Sequence, residues 1–227
     1  MSTFFNGLKN PWVVIGIIVV VLFGGSFWYA GSTADKNNEG ITFESHIKGN
    51  PEATVELVEY SDFQCPACAT FQPVLEDVLS QFGGSIKFEY KHFPLPIHPL
   101  AEPAARAAEA AGQQGKFFEF HDMLFANQAG WSNSVNPAIQ FVQYAEKLEL
   151  DIETFKRHLN SSMVRERVKE GLTEARGLGL TGTPTFFLNG EKMVITTYED
   201  FVNQITAAVN PEAATGTSTA PVVEFGI

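Results

Sequence analysis

The chain has 227 residues, two of them cysteine, and carries 15 basic against 26 acidic side chains for a formal net charge of −11. Hydrophobic residues make up 44% and charged residues 18%, which is typical of a folded protein and not of a disordered or collagen-like one. Because an acidic surface disfavours a broad phosphate-binding face, nucleic acid is not expected as a partner. Two cysteines cannot build a multi-bridge disulfide scaffold or a four-cysteine zinc site.

The chain begins with a long apolar segment, residues 12–30, that contains no charged side chain. Its length is close to the ~20 residues that cross a bilayer as a helix. Trp12 at its start and an aromatic pair at its end suit the two membrane interfaces. Lys9 favours a cytoplasmic N-terminus over residues 1–11, with the rest of the chain outside. A cleaved signal peptide, with a weak site at residues 32–34, is the alternative, and it also places the remainder outside the cytoplasm.

Two polar segments bound the folded part. Residues 31–40 are small and polar and predict a flexible linker, and residues 210–227 are rich in Thr, Ala and Pro and predict a loose tail. The folded domain is therefore expected over residues 41–209.

The first half of this domain predicts two strands followed by helices. Residues 54–60 form a short β-branched, apolar run, and residues 86–90 alternate apolar and charged side chains, so both are predicted strands. Helical patterns then fill residues 97–162, starting with an alanine-rich stretch. A further helix is predicted from an apolar stripe with helical spacing at Val164, Val168, Leu172 and Ala175.

The second half predicts a β-hairpin. Residues 185–188 and 191–195 are separated by Asn189 and Gly190, a pair that suits a type I′ turn because both central residues need positive φ. A short helix over residues 199–209 follows. The order of strand, helix, strand, helical block, hairpin and helix indicates an α/β fold with a helical insertion.

The two cysteines, Cys65 and Cys68, are separated by Pro66 and Ala67. Pro66 lacks an N–H group and is suited to the first position of a helix, so Cys65 is expected at the N-cap. The free N–H groups at that helix end stabilise a thiolate and should lower the pKa of Cys65. One helical turn brings Cys68 to disulfide distance, in a less exposed position. Cys65 is therefore the predicted exchanging sulfur and Cys68 the resolving one.

Two other interpretations of the pair are a structural disulfide and half of a metal site. A bridge across so small a loop removes little entropy from the unfolded chain, so its structural contribution is weak. A metal would need two more soft ligands, and His92, His98 and His121 have no ligand-like spacing from the pair. The spacing thus favours redox chemistry without a metal.

Glu59 and the Thr183-Pro184 pair are the other candidate site residues. Strand alternation places Glu59 on the same face as Leu57, where its carboxyl would be partly buried, with a raised pKa, and could exchange protons with Cys68. A solvent-facing carboxylate at the strand end is the alternative. Pro184 precedes a predicted strand, and considered alone it is an ordinary turn proline.

Together these motifs resemble a known family. Cys65-Pro66-Ala67-Cys68 after a strand and Thr183-Pro184 before a later one resemble the thioredoxin fold, and the helical block between them resembles its DsbA branch. VEYSDFQCPAC, GTPTFFLNG and the long block that begins KHFPLPIHP are similar to membrane-tethered, BdbD-type disulfide oxidoreductases. The resemblance covers residues 41–209 and implies a thioredoxin-like α/β fold with an inserted helical subdomain, preceded by a single transmembrane helix.

The resemblance also implies an activity. The implied reaction is the transfer of the Cys65–Cys68 disulfide to reduced exported polypeptides, outside the cytoplasm and with no other cofactor. A quinone-linked membrane partner would then reoxidise the protein. Glu59 would be the buried acid near the resolving cysteine. Pro184 would be cis and opposite Cys65, with the Thr183 backbone pairing with an extended substrate segment beside Pro66.

One departure from the family and three alternative functions stay open. The best-known DsbA proteins have histidine where this chain has Ala67, so the helix end must stabilise the thiolate and the oxidising strength is in question. A reductase or isomerase of the same fold is one alternative, which equilibrium with glutathione would separate. The others are a copper or zinc carrier that uses the cysteine pair with a histidine, and a tethered holdase with an incidental disulfide.

Overall fold

The computed structural model describes residues 11–211. Its helices are α1 (Pro11–Asn37), α2 (Pro66–Phe82), α3 (Ala101–Gly112), α4 (Phe117–Ala126), α5 (Gln128–Trp131), α6 (Pro137–Lys147), α7 (Ile152–Leu159), α8 (Ser162–Gly177) and α9 (Tyr198–Val209). Its strands are β1 (His46–Gly49), β2 (Val55–Ser61), β3 (Ile86–His92), β4 (Thr185–Leu188) and β5 (Glu191–Lys192). The predicted α/β fold with a helical insertion is confirmed.

The strands form one sheet in the order β1-β3-β2-β4-β5, with β2 at its centre. Strands β2 and β3 are parallel and joined by the crossover helix α2, while the other pairs are antiparallel. Alternate side chains of β2 point into the core up to Glu59, after which Tyr60 and Ser61 are buried as well. The end of the central strand, from which the chain enters α2, is therefore enclosed on both faces.

The hairpin has the predicted turn but a shorter second strand. Asn189 and Gly190 have φ values of 50° and 82°, the left-handed conformation that a type I′ turn requires. Strand β5 ends at Lys192 and not at residue 195 as predicted. The Met193 N–H still donates to the Phe186 carbonyl at 2.9 Å, and the chain then bends into the start of α9, where the N–H groups of Thr196 and Thr197 donate to the Asp200 carboxylate.

Helices α3 to α7 form the insertion between β3 and α8. The interior of the insertion is aromatic, with Phe120, Phe141 and Phe155 almost fully buried. Trp131 is fully buried and donates its indole N–H to the Leu124 carbonyl at 2.8 Å. Such a partner is what a buried indole needs, so Trp131 anchors this subdomain.

The N-terminal segment differs from expectation. The anchor predicted at residues 12–30 lies within α1, but no helix in residues 11–211 is both long and apolar enough to cross a bilayer. Helix α1 also includes residues 31–37 of the predicted linker. The chain after it is held in place, since the Asn38 side chain accepts from the Ser161 hydroxyl at 2.7 Å and the Glu39 carbonyl contacts His158 Nε2 at 3.1 Å. The predicted tail lies almost entirely outside the described residues.

Candidate active site

The two cysteines lie where the central strand meets the start of α2. Cys65 is the N-cap residue, with extended backbone angles, and Pro66 occupies the first turn as predicted. Cys65 is 6% exposed, whereas Cys68, one turn further along, is fully buried. The Cys65 sulfur therefore reaches the surface first, and its thiol lies 3.5 Å from the Thr183 carbonyl oxygen.

The surroundings of the two sulfurs separate their pKa values. A hydrogen bond from the Cys68 thiol, helped by Thr183 and by the backbone N–H groups of Ala67 and Cys68, lowers the pKa of Cys65 to about 5 despite its burial. Burial, together with the nearby Cys65 sulfur and Glu59, raises the pKa of Cys68 well above its usual value. At neutral pH, Cys65 is thus the nucleophilic thiolate and Cys68 keeps its proton.

We expect the reduced protein to show a thiolate titration with a midpoint near pH 5, because the Cys65 pKa is about 5. The measurement is absorbance at ~240 nm, where thiolates absorb, against pH, with Cys65→Ala as the control that removes the transition. A midpoint above about 8, the range of an ordinary thiol, would show that the helix end and Cys68 do not stabilise this thiolate.

Glu59 is fully buried on β2, which decides between the two interpretations left open by the sequence. Burial raises its pKa to about 7, an effect that Ser61 and Gln72 partly offset and that the Cys65 sulfur reinforces. A carboxyl with this pKa can hold or release a proton near neutral pH. The burial of Glu59 and Cys68 in the same region makes a proton transfer between them feasible.

The loop before β4 lies opposite the start of α2 and completes the site. The Thr183–Pro184 peptide bond is cis, as the family resemblance implies. Both residues are partly exposed, and the Thr183 carbonyl faces the Cys65 sulfur. The structure thus brings Cys65, Cys68, Glu59, Thr183 and Pro184 into one region at the surface of the sheet.

The turn between β2 and α2 is braced by residues that no sequence motif indicates. The buried Asp62 carboxylate accepts from the backbone N–H groups of Gln64 and Leu95 at 2.7 and 2.8 Å, and contacts His98 Nδ1 at 2.7 Å. The backbone carbonyl of Asp62 accepts from the Cys65 N–H at 3.0 Å. One carboxylate therefore holds the cysteine turn against the loop that leads into α3.

Two glutamines continue this bracing from the helical insertion. Gln128 Nε2 donates to the carbonyls of Phe63 and Cys65 at 2.8 and 2.9 Å. Gln64 bridges two parts of the insertion, since its amide donates to the Ser132 carbonyl and accepts from the Leu100 N–H. The polar residues just before Cys65 were the only sequence indication that this turn is braced. Their partners could not be identified, because they are distant in the chain.

Potential metal ligands converge elsewhere. Within the described residues, His46, His92 and Glu109 place ligand atoms within 4.8 Å of one another, and neither cysteine belongs to this group. Glu109 Oε1 instead contacts His46 Nε2 at 2.8 Å and His92 Nε2 at 2.9 Å. A carrier that binds metal through the cysteine pair and a histidine therefore finds no support in this geometry.

Comparison with solved structures identifies the same architecture. A thioredoxin-like oxidoreductase from Silicibacter pomeroyi has 27% identity and a TM-score of 0.61, over 76% of this chain and 94% of that one. BdbD from Bacillus subtilis has 22% identity and a TM-score of 0.64, over 78% and 95%. The protein-disulfide isomerase of Novosphingobium aromaticivorans has 21% identity and a TM-score of 0.64, over 75% and 100%. The latter two share the fold.

Comparison of sequences gives the family. The thioredoxin family model matches residues 42–207. A Na(+)/H(+) antiporter NhaA 1 from Salinispora arenicola is 42% identical over 148 residues, and one from a Mycobacterium species is 40% identical over 152 residues. Each match covers 65% of this chain but 22% and 24% of the antiporter, so the chain spans about a quarter or less of these relatives. The chain belongs to the thioredoxin family, with the fold of DsbA- and BdbD-type thiol-disulfide oxidoreductases.

Proposed function

We propose that this protein transfers the Cys65–Cys68 disulfide to reduced cysteines of exported polypeptides. The observation that carries the proposal is the asymmetry of the pair. Cys65 is the more accessible sulfur, 6% exposed, with a pKa of about 5, and Cys68 is fully buried with a raised pKa. Such a pair has one sulfur that leaves readily as a thiolate and one that stays protected, which favours donation of the disulfide over its retention.

The transfer takes two exchange steps. In the first, a substrate thiolate attacks Cys65, the Cys65–Cys68 bond breaks, and Cys68 leaves and takes up a proton. In the second, another substrate thiolate attacks the substrate sulfur of this mixed disulfide and displaces Cys65, which leaves as a thiolate. The substrate gains a disulfide and loses two electrons, and the protein ends with Cys65 as a thiolate and Cys68 as a thiol. Glu59 is the proposed proton donor in the first step, since its pKa is about 7 and it lies near Cys68.

The substrate is proposed to bind along the loop that faces Cys65. Thr183 and Pro184 are partly exposed beside the sulfur, and Pro66 is exposed on its other side. An extended polypeptide could pair with the Thr183 backbone and bring its own cysteine to Cys65. No further cofactor is required, because the Cys65–Cys68 disulfide itself accepts the two electrons that the substrate thiols lose.

The location and the redox partner are proposed from the sequence. The apolar N-terminal segment after Lys9 favours export of the domain, with membrane attachment in a single pass or removal of the segment as a signal. An extracytoplasmic compartment also allows a disulfide to persist. The reduced protein would then be reoxidised by a quinone-linked membrane protein.

The deciding experiment is the equilibrium of the cysteine pair with glutathione, followed by transfer to a reduced, unfolded substrate protein. Because a thiolate at Cys65 stabilises the reduced form, we expect a potential above about −200 mV, nearer to DsbA than to thioredoxin. Oxidation of the substrate should accompany conversion of the pair to thiols. A potential near −270 mV, the thioredoxin value, would instead favour a reductase. The observation that favours a reductase is Ala67, which stands where the best-known DsbA proteins have a histidine.

A further inference from the structure

Four polar side chains meet in the core behind Cys65. Cys68 and Gln72 lie one turn apart on α2 and share the face that packs into the core, because residues four apart are neighbours on a helix. Glu59 and Ser61 lie two apart on β2 and share the face of the strand that points at this helix. All four are buried. The helix and the strand thus align two polar residues each across the same interface.

Most of the polar atoms in this interface lack a partner. Both carboxylate oxygens of Glu59, the Ser61 hydroxyl, the Gln72 amide nitrogen and the Tyr90 hydroxyl are buried without a hydrogen bond of normal geometry among the described residues. Tyr90 is the neighbour of Glu59 on the adjacent strand β3. Buried polar groups left in this way usually have a functional role or bind ordered water. The presence of several such groups near Cys68 indicates a path for protons and not a defect in packing.

The Ser61 hydroxyl is buried on the same face of β2 as Glu59 and has no other partner among the described residues. Burial raises the pKa values of Glu59 and Cys68, and the nearby Ser61 side chain opposes the rise in both. Small movements of these partnerless side chains would let one hydroxyl contact both the sulfur and the carboxyl. A hydroxyl can accept a proton from one neighbour while it donates its own to another.

Gln72 connects the same group to the outside. It is 8% exposed and lines a surface cavity of about 310 Å³. Glu76 and Asp122 stand at this cavity with side chains 43% and 47% exposed, so solvent reaches it. The cavity opens between α2 and α4, and neither Cys65 nor Thr183 is among the residues that line it.

We propose that Ser61 and Gln72 form the proton route of the exchange reaction. The Ser61 hydroxyl links Cys68 to Glu59, and the Gln72 side chain admits water from the cavity to Glu59. This inference rests on the proposed function and adds two residues to it. The route lets protons enter through the cavity between α2 and α4, whose lining contains neither Cys65 nor Thr183.

The atoms balance in the first exchange step. The substrate sulfur bonds to Cys65, the Cys65–Cys68 bond breaks, and the electron pair of that bond goes to Cys68. The Ser61 hydroxyl proton passes to the Cys68 sulfur as Glu59 supplies its own proton to Ser61. Glu59 then recovers a proton from water at Gln72. The reverse step uses the same path in the opposite direction.

The test is the rate at which glutathione reduces the disulfide form of the full chain, followed by acid quenching and thiol labelling. Ser61→Ala should slow this reduction at least about tenfold, the lower range for proton-transfer groups. Ser61→Thr, which keeps the hydroxyl, should stay within about threefold of the wild-type rate. Gln72→Leu, which keeps the volume and removes the amide, should slow the reduction in the same direction as Ser61→Ala.

The matched control is a step in which Cys68 takes no part. In Cys68→Ala protein carrying glutathione on Cys65, a second glutathione releases Cys65 as a thiolate and needs no proton from the route. Ser61→Ala should leave this rate unchanged. Equal slowing of both steps, or no slowing of either, overturns the inference. If Ser61→Ala does not fold by circular dichroism, the same comparison with Gln72→Leu decides.

The outcomes also separate this inference from the function on which it rests. A wild-type protein that does not exchange with glutathione contradicts the proposed function itself. A wild-type protein that exchanges while Ser61→Ala and Gln72→Leu exchange equally fast contradicts only the proton route.

Discussion

Cys65→Ala is expected to reduce the oxidation of an unfolded substrate by at least about a thousandfold, the scale seen when a nucleophile or leaving group is removed. Cys65 is the sulfur beside Thr183 with a pKa of about 5, and Cys68 is fully buried, so Cys65 is the proposed site of the mixed disulfide. The measurement is the appearance of disulfides in the substrate after mixing with oxidised protein. The size-matched variant Cys65→Ser should be equally inactive.

Cys68→Ala is expected to behave differently, because it leaves the attacking sulfur in place. The variant should form a mixed disulfide between Cys65 and the substrate, visible as a covalent adduct on a non-reducing gel. Its release should depend on added thiol, since the resolving sulfur is missing. This trapped species would also identify natural substrates.

The control for both cysteine variants is Ser80→Ala, an exposed position on the same helix. It should oxidise the substrate at the wild-type rate, and the thermal unfolding of all variants should show that the fold is kept. Full activity in Cys65→Ala would contradict the proposed chemistry. An equally rapid release of the adduct from wild type and Cys68→Ala would show that Cys68 does not resolve it.

Local patterns predicted the parts of the fold that depend on local chemistry. Pro66 correctly predicted the start of α2, and Asn189-Gly190 predicted the turn of the hairpin. The alternation of apolar and charged side chains predicted β3, and a short apolar run predicted β2. Each of these rests on backbone angles or on a period that neighbouring residues share. The same reasoning placed Cys65 at the helix end and Cys68 in the interior, so half of the site followed from the sequence.

Glu59 shows where such reasoning stops. Alternation placed it on the core face, but a residue near the end of a strand can equally meet solvent. The structure decides the matter because the three residues 59–61 are all buried, enclosed by α2 on one side and by the packing around Tyr60 on the other. The burial of residues 59–61 depends on elements far along the chain, such as α8, and therefore leaves no periodic pattern in the sequence of β2.

The contacts that join the insertion to the sheet were also unpredictable. Strand β1 is only four residues long, and its partner β3 is distant in sequence. The His46 ring stacks on Phe117 with centroids 3.4 Å apart and reaches Glu109 on α3. Short strands and single buried charges carry little sequence signal, yet they fix the position of the subdomain that braces the active-site turn.

Glu109→Ala is expected to destabilise the protein by about 3–5 kcal/mol, the usual cost of removing one partner from a buried charged group. The carboxylate is 1% exposed and contacts His46 on β1 and His92 on β3, with Arg167 of α8 3.9 Å away. Its loss removes the partner of both histidines where four elements meet, while Arg167 keeps its contact with the Glu44 carbonyl. Chemical denaturation of wild type and variant measures the difference.

The matched control is Glu102→Ala, on the same helix but with a side chain 50% exposed. Its contacts with Arg106 and Arg165, both 3.8 Å, are longer than hydrogen bonds, and Arg106 keeps the Leu159 carbonyl as a partner, so the expected cost is within about 1 kcal/mol. Equal destabilisation by the two substitutions would show that helix α3, and not the buried carboxylate, determines the effect.

The pH dependence gives a second test of the same carboxylate. Burial alone would raise the pKa of Glu109, but hydrogen bonds from His46 and His92 outweigh it and hold the pKa well below the usual 4.5. A lowered pKa means that the stabilisation is complete above the unfolded value and is lost as the pH falls below it. Wild type should therefore lose up to about 1.4 kcal/mol per pH unit below pH ~4.5 from this group, and Glu109→Gln should lack that component. An acid limb of equal slope in both proteins would contradict the role of Glu109 as the ionised link between the helical insertion and the sheet.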